Sequence, residues 1–316
     1  MSGTLRRNAG VLAAFGACFA LTPLLPLGLN AYYVQILAYI GINAILAVSL
    51  QLINGVAGQF SLGHAGFMAI GAYVAAAWAV FAVPAAPPPV QLWSGLVAGG
   101  LAAAAAGLAV GIPTLRLRGD YLAIATLGFG EIIRVVILNT DAVGGARGMI
   151  GIPVLASVGT IAACVVLCTV VVWRLAYSAE GRALRAVRED EVAAAAVGID
   201  PARRKILAFT VGAAWAGVAG GCFAFFIGYL NTNSFQFLRS VEIVVMVVLG
   251  GLGSVTGALV AAALLTILPE VLRPIAEYRM IIYSALLIVL MLVRPEGLLG
   301  GGELLPWRSS KPATAR

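Results

Sequence analysis

Long, uninterrupted apolar runs limit most strongly how this chain can fold. About 20 apolar residues cross the hydrocarbon core of a bilayer as a helix. Runs near that length lie at 11–29, 32–53, 66–83, 92–112, 121–139, 152–176, 205–229 and 279–293. Only 10% of the 316 residues are charged, whereas a soluble domain averages about a quarter. A β-barrel would instead alternate in segments of about ten residues. The sequence therefore predicts a single all-α, multi-pass membrane domain over residues 1–316, with about 8–10 transmembrane helices.

Glycine clusters break two of the apolar regions. The stretch GVAGQFSLGHAG opens the region 55–83, and Gly250, Gly251 and Gly253 interrupt the region 240–269. The second region is long for one span, so we expect a re-entrant hairpin or two short crossings. Irregular backbone at membrane depth is tolerated only when it is buried in protein or lines a water-filled path. The breaks therefore predict a translocation path, with Ser61, His64, Gly251 and Gly253 as candidate residues.

The two breaks also suggest an internal repeat. Leu62-Gly63 and Leu252-Gly253 coincide at an offset of 190 residues, and paired interrupted helices in the two halves of a chain are typical of repeated transporters. His64 itself has two interpretations: it contacts substrate or senses pH, or it hydrogen-bonds a backbone group that the broken helix leaves without a partner.

Glu131 and Arg134 lie inside an apolar run, three residues apart on one helix face. A charge at mid-membrane costs about 2.5–3.5 kcal/mol on insertion scales, so such residues face the protein interior and pair. The pair either lines the translocation path, or is a structural ion pair close to a helix end from which both side chains reach the interface.

Basic residues predict the orientation in the membrane. If both termini, 113–120 and 174–205 face the cytoplasm, that side holds 15 of the 20 Arg and Lys residues, and the opposite loops hold four. This follows the positive-inside rule. Cytoplasmic termini require an even number of crossings. Arg147, Arg239, Arg273 and Arg279 fall on the opposite side in this assignment.

The loop at 177–205 carries most of the charge. It predicts a helix with Arg182, Arg185 and Arg188 at spacing three, followed by an acidic turn of Glu189, Asp190 and Glu191. A second short helix at about 190–197 ends at Gly198, and Asp200-Pro201 caps the next span. A basic helix of this kind can lie on anionic lipid. The acidic turn and the small apolar residues favour docking onto a soluble protein instead.

The sequence excludes several chemistries. It has one His and lacks both the HExxH zinc motif and a GxxxxGK[ST] phosphate loop. We therefore expect no metal and no cofactor bound by this chain, no enzymatic activity and, because Arg excess marks cytoplasmic loops, no nucleic-acid partner. If transport consumes ATP, another chain binds it.

Five separated blocks resemble the LivM-type permease subunit of branched-chain amino acid ABC importers. The resemblance covers the chain from residue 30 onward and rests on GQFSLGHAGFMAIGAYVAA, LRLRGDYLAIATLGFGEIIRVVILNT, GRALRAVREDEVAAAAVGIDPARRKILAFTVGAAWAGVAGG, VVLGGLGSVTGALVAA and VRPEGLLG. Residues 181–198 resemble the coupling motif that docks on the ATPase, with one residue more between Glu191 and Gly198 than is common.

The resemblance implies partners and a function. The partners are a LivH-type permease as heterodimer, two cytoplasmic ATPases that use ATP, a periplasmic substrate-binding protein and the bilayer of the cell inner (plasma) membrane. The implied function is import of branched-chain or related amino acids, with Arg182, Arg185, Arg188, Glu189, Asp190, Glu191 and Gly198 in the coupling loop. Relatives that carry urea, short amides or aromatic acids are one alternative. A stand-alone facilitator or channel is another, and a membrane enzyme is more distant.

Overall fold

The structure is a computed structural model, and it describes residues 30–114, 117, 119–272, 288 and 297–298. The predicted spans at 11–29 and 279–293 lie outside the described residues. Within them the chain folds into α-helices, and its one β-bridge joins Met149 to Leu230. The α-helices are α1 (Ala31–Gln51), α2 (His64–Ala77), α3 (Pro88–Thr114), α4 (Asp120–Leu138), α5 (Val158–Ala176), α6 (Ala179–Glu189), α7 (Glu191–Ala196), α8 (Pro201–Ile227), α9 (Phe237–Gly250) and α10 (Val255–Val271).

Apolar length gives six of these helices the reach to span a bilayer. In the described part of the chain they are α1 to α5 and α8, where π-helical turns extend α1 through Leu52–Val56 and α2 through Trp78–Ala82. This confirms the all-α, multi-pass fold class.

The region 240–269 forms two short helices rather than one span. At about 1.5 Å per residue, α9 is about 21 Å long and α10 about 25 Å. The helix α10 runs back along α1: Ser254, at its start, accepts a hydrogen bond from Gln51, and Glu270, near its end, accepts one from Tyr32. The two residues of α1 lie at opposite ends of that helix, so α10 crosses the depth of the bundle. The region therefore contains one full crossing, α10, so it is not a re-entrant hairpin alone.

Glycines bring α2, α3 and α8 into backbone contact at the centre of the bundle. A Cβ atom on Gly71 of α2 would lie 2.2 Å from the Cα atom of Gly217 on α8, and one on Gly99 of α3 would lie 2.5 Å from the Gly71 carbonyl oxygen. Helices in membranes associate through such small residues, because lipid gives no hydrophobic drive for their contact. The glycines of these helices therefore serve helix packing.

The helix α5 begins six residues later than the apolar run at 152 suggests. Ser157 caps it: the Ser157 hydroxyl accepts from the Thr160 N–H, and the Thr160 hydroxyl accepts from the Ser157 N–H. Upstream, Pro153 disfavours helical backbone at the residue before it. The chain there stays extended, and the N–H groups of Leu155 and Ala156 donate to the Phe225 carbonyl at the end of α8.

The charged loop at residues 177–200 connects α5 to α8 and lies at one end of the bundle. We call that end of the bundle the loop end. The loop contains α6 and α7. Leu184 and Val187 of α6 are 0% and 4% exposed, and α6 packs against α5, α8 and the π-helical turn that ends α1. The loop is therefore an ordered part of the bundle.

Candidate functional site

The first break, at residues 57–63, lies between α1 and α2 inside the protein. Its backbone N–H groups donate to side chains from three places in the fold. The Ser61 N–H donates to Asn54 Oδ1 (3.2 Å), the Leu62 N–H to Thr126 Oγ1 (3.0 Å) and the Ala65 N–H to Ser240 Oγ (3.0 Å). Buried backbone groups need such partners when they leave a helix. Polar side chains within apolar helices therefore hold the break in place.

Ser61 and His64 are both fully buried in this break. His64 is the first residue of α2, and its Nε2 atom lies 2.8 Å from the Ser49 hydroxyl oxygen. That hydroxyl also lies 2.9 Å from the Leu46 carbonyl oxygen. Within the described residues, Ser61 Oγ and His64 Nδ1 have no hydrogen-bond partner. Polar atoms buried in this way mark a place where water or a ligand can bind.

The second break, at residues 251–254, meets the first. Gly251 and Gly253 both have positive φ angles, +101° and +100°, in the left-handed region that favours glycine. The Gln51 side chain donates to the carbonyls of Gly251 (2.8 Å) and Ser254 (3.2 Å). A Cβ atom on Gly55 would lie 2.6 Å from the Gly253 nitrogen. The predicted path residues Gly251 and Gly253 therefore lie against the end of α1, whereas Ser61 and His64 contact Asn54 and Ser49 of that helix and its π-helical turn.

Glu131 and Arg134 form the predicted ion pair on α4. Arg134 Nε donates to Glu131 Oε2 at 2.7 Å, and the side chains are 23% (Arg134) and 34% (Glu131) exposed. Glu131 also borders a narrow cleft between α4, the first break and the start of α9, which Leu62, Gly66, Phe237 and Ser240 help to line. The cleft is lined by residues of α4 and by Leu62 of the first break.

Sequence analysis missed a second polar cluster at membrane depth. Arg239, which the orientation count assigned to a loop, lies in the first turn of α9. It donates to Asn43 in the middle of α1 and to Glu242 (2.8 Å), and Asn43 donates to Thr266 of α10 (2.8 Å). The assignment to a loop was wrong because residues 228–236 return into the bundle before α9 begins. The lone Asn43 within an apolar run was the signal in the sequence.

The residues predicted to couple to an ATPase divide into two groups. Four of them have partners inside this chain: Arg185 lies 5.3 Å above the Tyr177 ring, Arg188 donates to the Gly55 carbonyl, Asp190 caps α7, and Glu191 pairs with Lys205 at 3.0 Å. Arg182 and Glu189 are exposed.

Gly198 ends α7 as predicted. It has a φ of +84°, its N–H donates to the Ala195 carbonyl, and the Ile199 N–H donates to the Ala194 carbonyl. Together these bonds form a Schellman motif. Asp200 caps α8, with Pro201 at its first position, which confirms the predicted start of that span.

Two apolar side chains at α7 complete the exposed surface of the loop. Val192, in α7, is 72% exposed, and Val197, which directly follows that helix, is 75% exposed. Sequence analysis missed them because it followed the charges. With Arg182 and Glu189 they form what we call the loop surface. Across the described ranges, no three His, Cys, Asp or Glu side chains gather as metal ligands would.

Comparisons with known proteins match this arrangement to one family. The family model described as "Branched-chain amino acid transport system / permease component" matches residues 32–293. The chain is 39% identical to the LivM permease protein of Escherichia coli K12 over 293 residues, which cover 82% of this chain and 68% of that protein.

Two further relatives carry related names. The Salmonella typhimurium LivM permease protein is 38% identical over the same shares. The LivH permease protein of Escherichia coli K12 is 38% identical over 130 residues, which cover 40% of this chain and 42% of that protein. All three are named as parts of a high-affinity branched-chain amino acid transport system. No solved structure matches the chain.

Proposed function

This chain belongs to the permease family of branched-chain amino acid transport systems, and we propose that it is one membrane subunit of an ATP-driven importer in the cell inner membrane. Its partners are a LivH-type permease, two cytoplasmic ATPases that consume the ATP, and a periplasmic binding protein that delivers the substrate. The chain itself binds no cofactor and catalyses no reaction; it supplies part of the path.

The loop surface is the observation that carries this proposal. One side of α6 is buried against the bundle through Leu184 and Val187, while Val192 of α7 and the adjacent Val197 are exposed among charges. Exposed apolar residues within a polar rim are typical of protein contact sites. A loop that is anchored on one side and apolar on the other can receive a push from a soluble ATPase and pass it to the helices.

Aspartates in place of the two exposed valines of the loop surface test the docking. The double change Val192→Asp and Val197→Asp should abolish co-purification of the ATPases and ATP-dependent uptake, because two carboxylates would be buried without partners. Val154→Asp is the matched control: Val154 is 67% exposed but precedes α5, at the end of that helix away from the loop. Retention of both ATPases and uptake in the double variant would refute the docking. Uptake without any ATPase would favour the stand-alone facilitator.

The outer face of α4 is the side we assign to the second permease. Few residues of this helix are buried, and its exposed apolar side chains include Tyr121, Ile124 and Ile132. The half-exposed Glu131–Arg134 pair on the same helix would be costly against lipid. A second permease over this face would cover the pair and enclose the cleft beside the first break, which places the path between the two subunits.

Branched-chain amino acids are the proposed substrates, because the named relatives belong to systems for these compounds. The alternative is a family member that carries urea, short amides or aromatic acids. Uptake of labelled leucine, isoleucine and valine should saturate at low concentration in vesicles that contain the full complex and its binding protein. A binding protein that binds urea or an aromatic acid and ignores leucine would replace this assignment.

A further inference from the structure

Arg188 reaches from the loop into the end of α1. Its Nη1 atom donates to the carbonyl oxygen of Gly55, in the π-helical turn Leu52–Val56. The last carbonyls of a helix lack partners within the helix and carry its partial negative charge, so a guanidinium is a favourable partner for them. The contact joins residues 133 positions apart in the sequence. Arg188 is therefore a C-terminal cap for a membrane helix, supplied by the loop.

Both glycine breaks lie against this one side chain. A Cβ atom on Gly58 would lie 2.6 Å from Arg188 Cγ, and one on Gly253 would lie 3.9 Å from Arg188 Nη1. Gly55, the hydrogen-bond partner, lies directly against Gly253. Gly58 thus leaves the space that the Arg188 side chain occupies, and Gly253 lies close to the tip of that side chain. A displacement of Arg188 therefore changes its surroundings in both breaks.

The same side chain is tied closely to the loop surface. Arg188 lies in the last turn of α6, and Asp190, two residues later, caps α7 by accepting from the N–H groups of Val192 (2.8 Å) and Ala193 (3.0 Å). Arg188 follows the buried Leu184 by four residues, so its side chain starts beside the buried face of α6, although Arg188 itself is exposed. A movement of α7 therefore reaches Arg188 through two residues of chain, without a flexible linker.

We propose that Arg188 is the positioning residue that transmits displacement of the loop surface to the two glycine breaks. With the loop in the position seen here, Arg188 holds the Gly55 carbonyl and keeps the ends of α1 and α9 together. When α7 moves with its partner, the guanidinium leaves Gly55, and the breaks rearrange. This inference rests on the proposed docking of the ATPases on α7.

Substitutions at Arg188 test the transmission in the reconstituted complex with its binding protein. Arg188→Ala should leave co-purification of the ATPases intact but lower the substrate imported per ATP hydrolysed by about tenfold, as expected for loss of one hydrogen bond from a charged donor. Arg188→Lys should recover part of this ratio, because an ammonium donates to one carbonyl. Arg203→Ala is the control: Arg203 is an exposed arginine in the first turn of α8, outside the loop surface, and its removal should leave the ratio unchanged.

Two results would overturn the inference. One is an import-to-hydrolysis ratio in Arg188→Ala equal to that of Arg203→Ala. The other is loss of the ATPases from the Arg188→Ala complex, which would make Arg188 an outward docking contact. If Arg188→Ala does not yield a folded complex, Arg188→Lys decides by the same ratio. Failure of the docking itself is seen separately, as ATPases retained by the Val192 and Val197 double variant.

Discussion

The contact between α2 and α8 offers a sharp test of the packing that supports the site. Gly71→Ala places a methyl group 2.2 Å from the Cα atom and carbonyl oxygen of Gly217, whereas ordinary carbon contacts lie at about 3.5–4.0 Å. Backbone on both sides cannot rotate away, so the helices must separate by more than an ångström. Overpacking of this kind costs about 1–3 kcal/mol, against a gain of about 1 kcal/mol in helix propensity for alanine over glycine.

The control Gly128→Ala separates the cost of overpacking from the gain in helix propensity. Gly128 lies within α4, and nothing lies within 4 Å of a Cβ atom built on it. The control therefore keeps the propensity gain without the overpacking cost. At about 2–4 °C per kcal/mol, Gly71→Ala should unfold roughly 3–10 °C below Gly128→Ala in thermal denaturation of the purified protein in detergent. Equal midpoints for the two variants would show that α2 and α8 are not in backbone contact.

Two further substitutions address polar groups in the apolar helices. Ser49→Ala leaves His64 Nε2 buried without its 2.8 Å partner, which should cost about 1–3 kcal/mol and lower the thermal midpoint. Ser49→Thr keeps the hydroxyl and should lose less stability. A midpoint for Ser49→Ala at or above the native value would contradict the hydrogen bond. Arg134→Leu leaves Glu131 without its ion-pair partner on the face assigned to the second permease, so the two permeases should no longer co-purify. Arg134→Leu combined with Glu131→Gln should restore co-purification in part. Intact co-purification in the single variant would remove α4 from the interface.

Helix positions could be predicted from the sequence because apolar length and capping are local. Asp200-Pro201 and Gly198 lie where their conformational preferences require. The position of Arg239 could not be predicted, since the chain before α9 is held in the bundle by tertiary contacts and no local rule reports that depth. The inward contact of Arg188 falls between these cases. Arg188 lies three residues after Arg185 and four residues after the buried Leu184, so helix periodicity places it equally close to both. Only the structure decides whether its side chain contacts the bundle.

The internal repeat that Leu62-Gly63 and Leu252-Gly253 suggested remains a prediction, and the structure limits its form. An axis in the membrane plane would place two related breaks at opposite ends of a bundle. Here Gln51 donates to the Gly251 carbonyl, and Gly55 touches Gly253, so both breaks lie at the loop end. A repeat that relates them would therefore have to be of the parallel kind, about an axis along the bundle.

Backbone groups in the bundle have two kinds of partner, and the kind of partner distinguishes a rigid part of the bundle from a part that can change. In the contact of α2, α3 and α8, backbone packs on backbone through glycine, at distances that leave no room for a side chain. At the breaks, the partners are side chains: Gln51 for the second break, Asn54 and Thr126 for the first, and Arg188 for the end of α1.

Exchange of side-chain partners is nearly neutral in energy, because each net hydrogen bond contributes only about 0.5–1.5 kcal/mol and a new partner recovers most of it. Loss of a backbone contact in a packed core is not recovered in this way. A push on the loop will therefore change the breaks before it changes the crossing of α2 and α8. That order suits the proposed importer, because the contact of α2, α3 and α8 would stay fixed while the contacts at the breaks change at little cost in free energy.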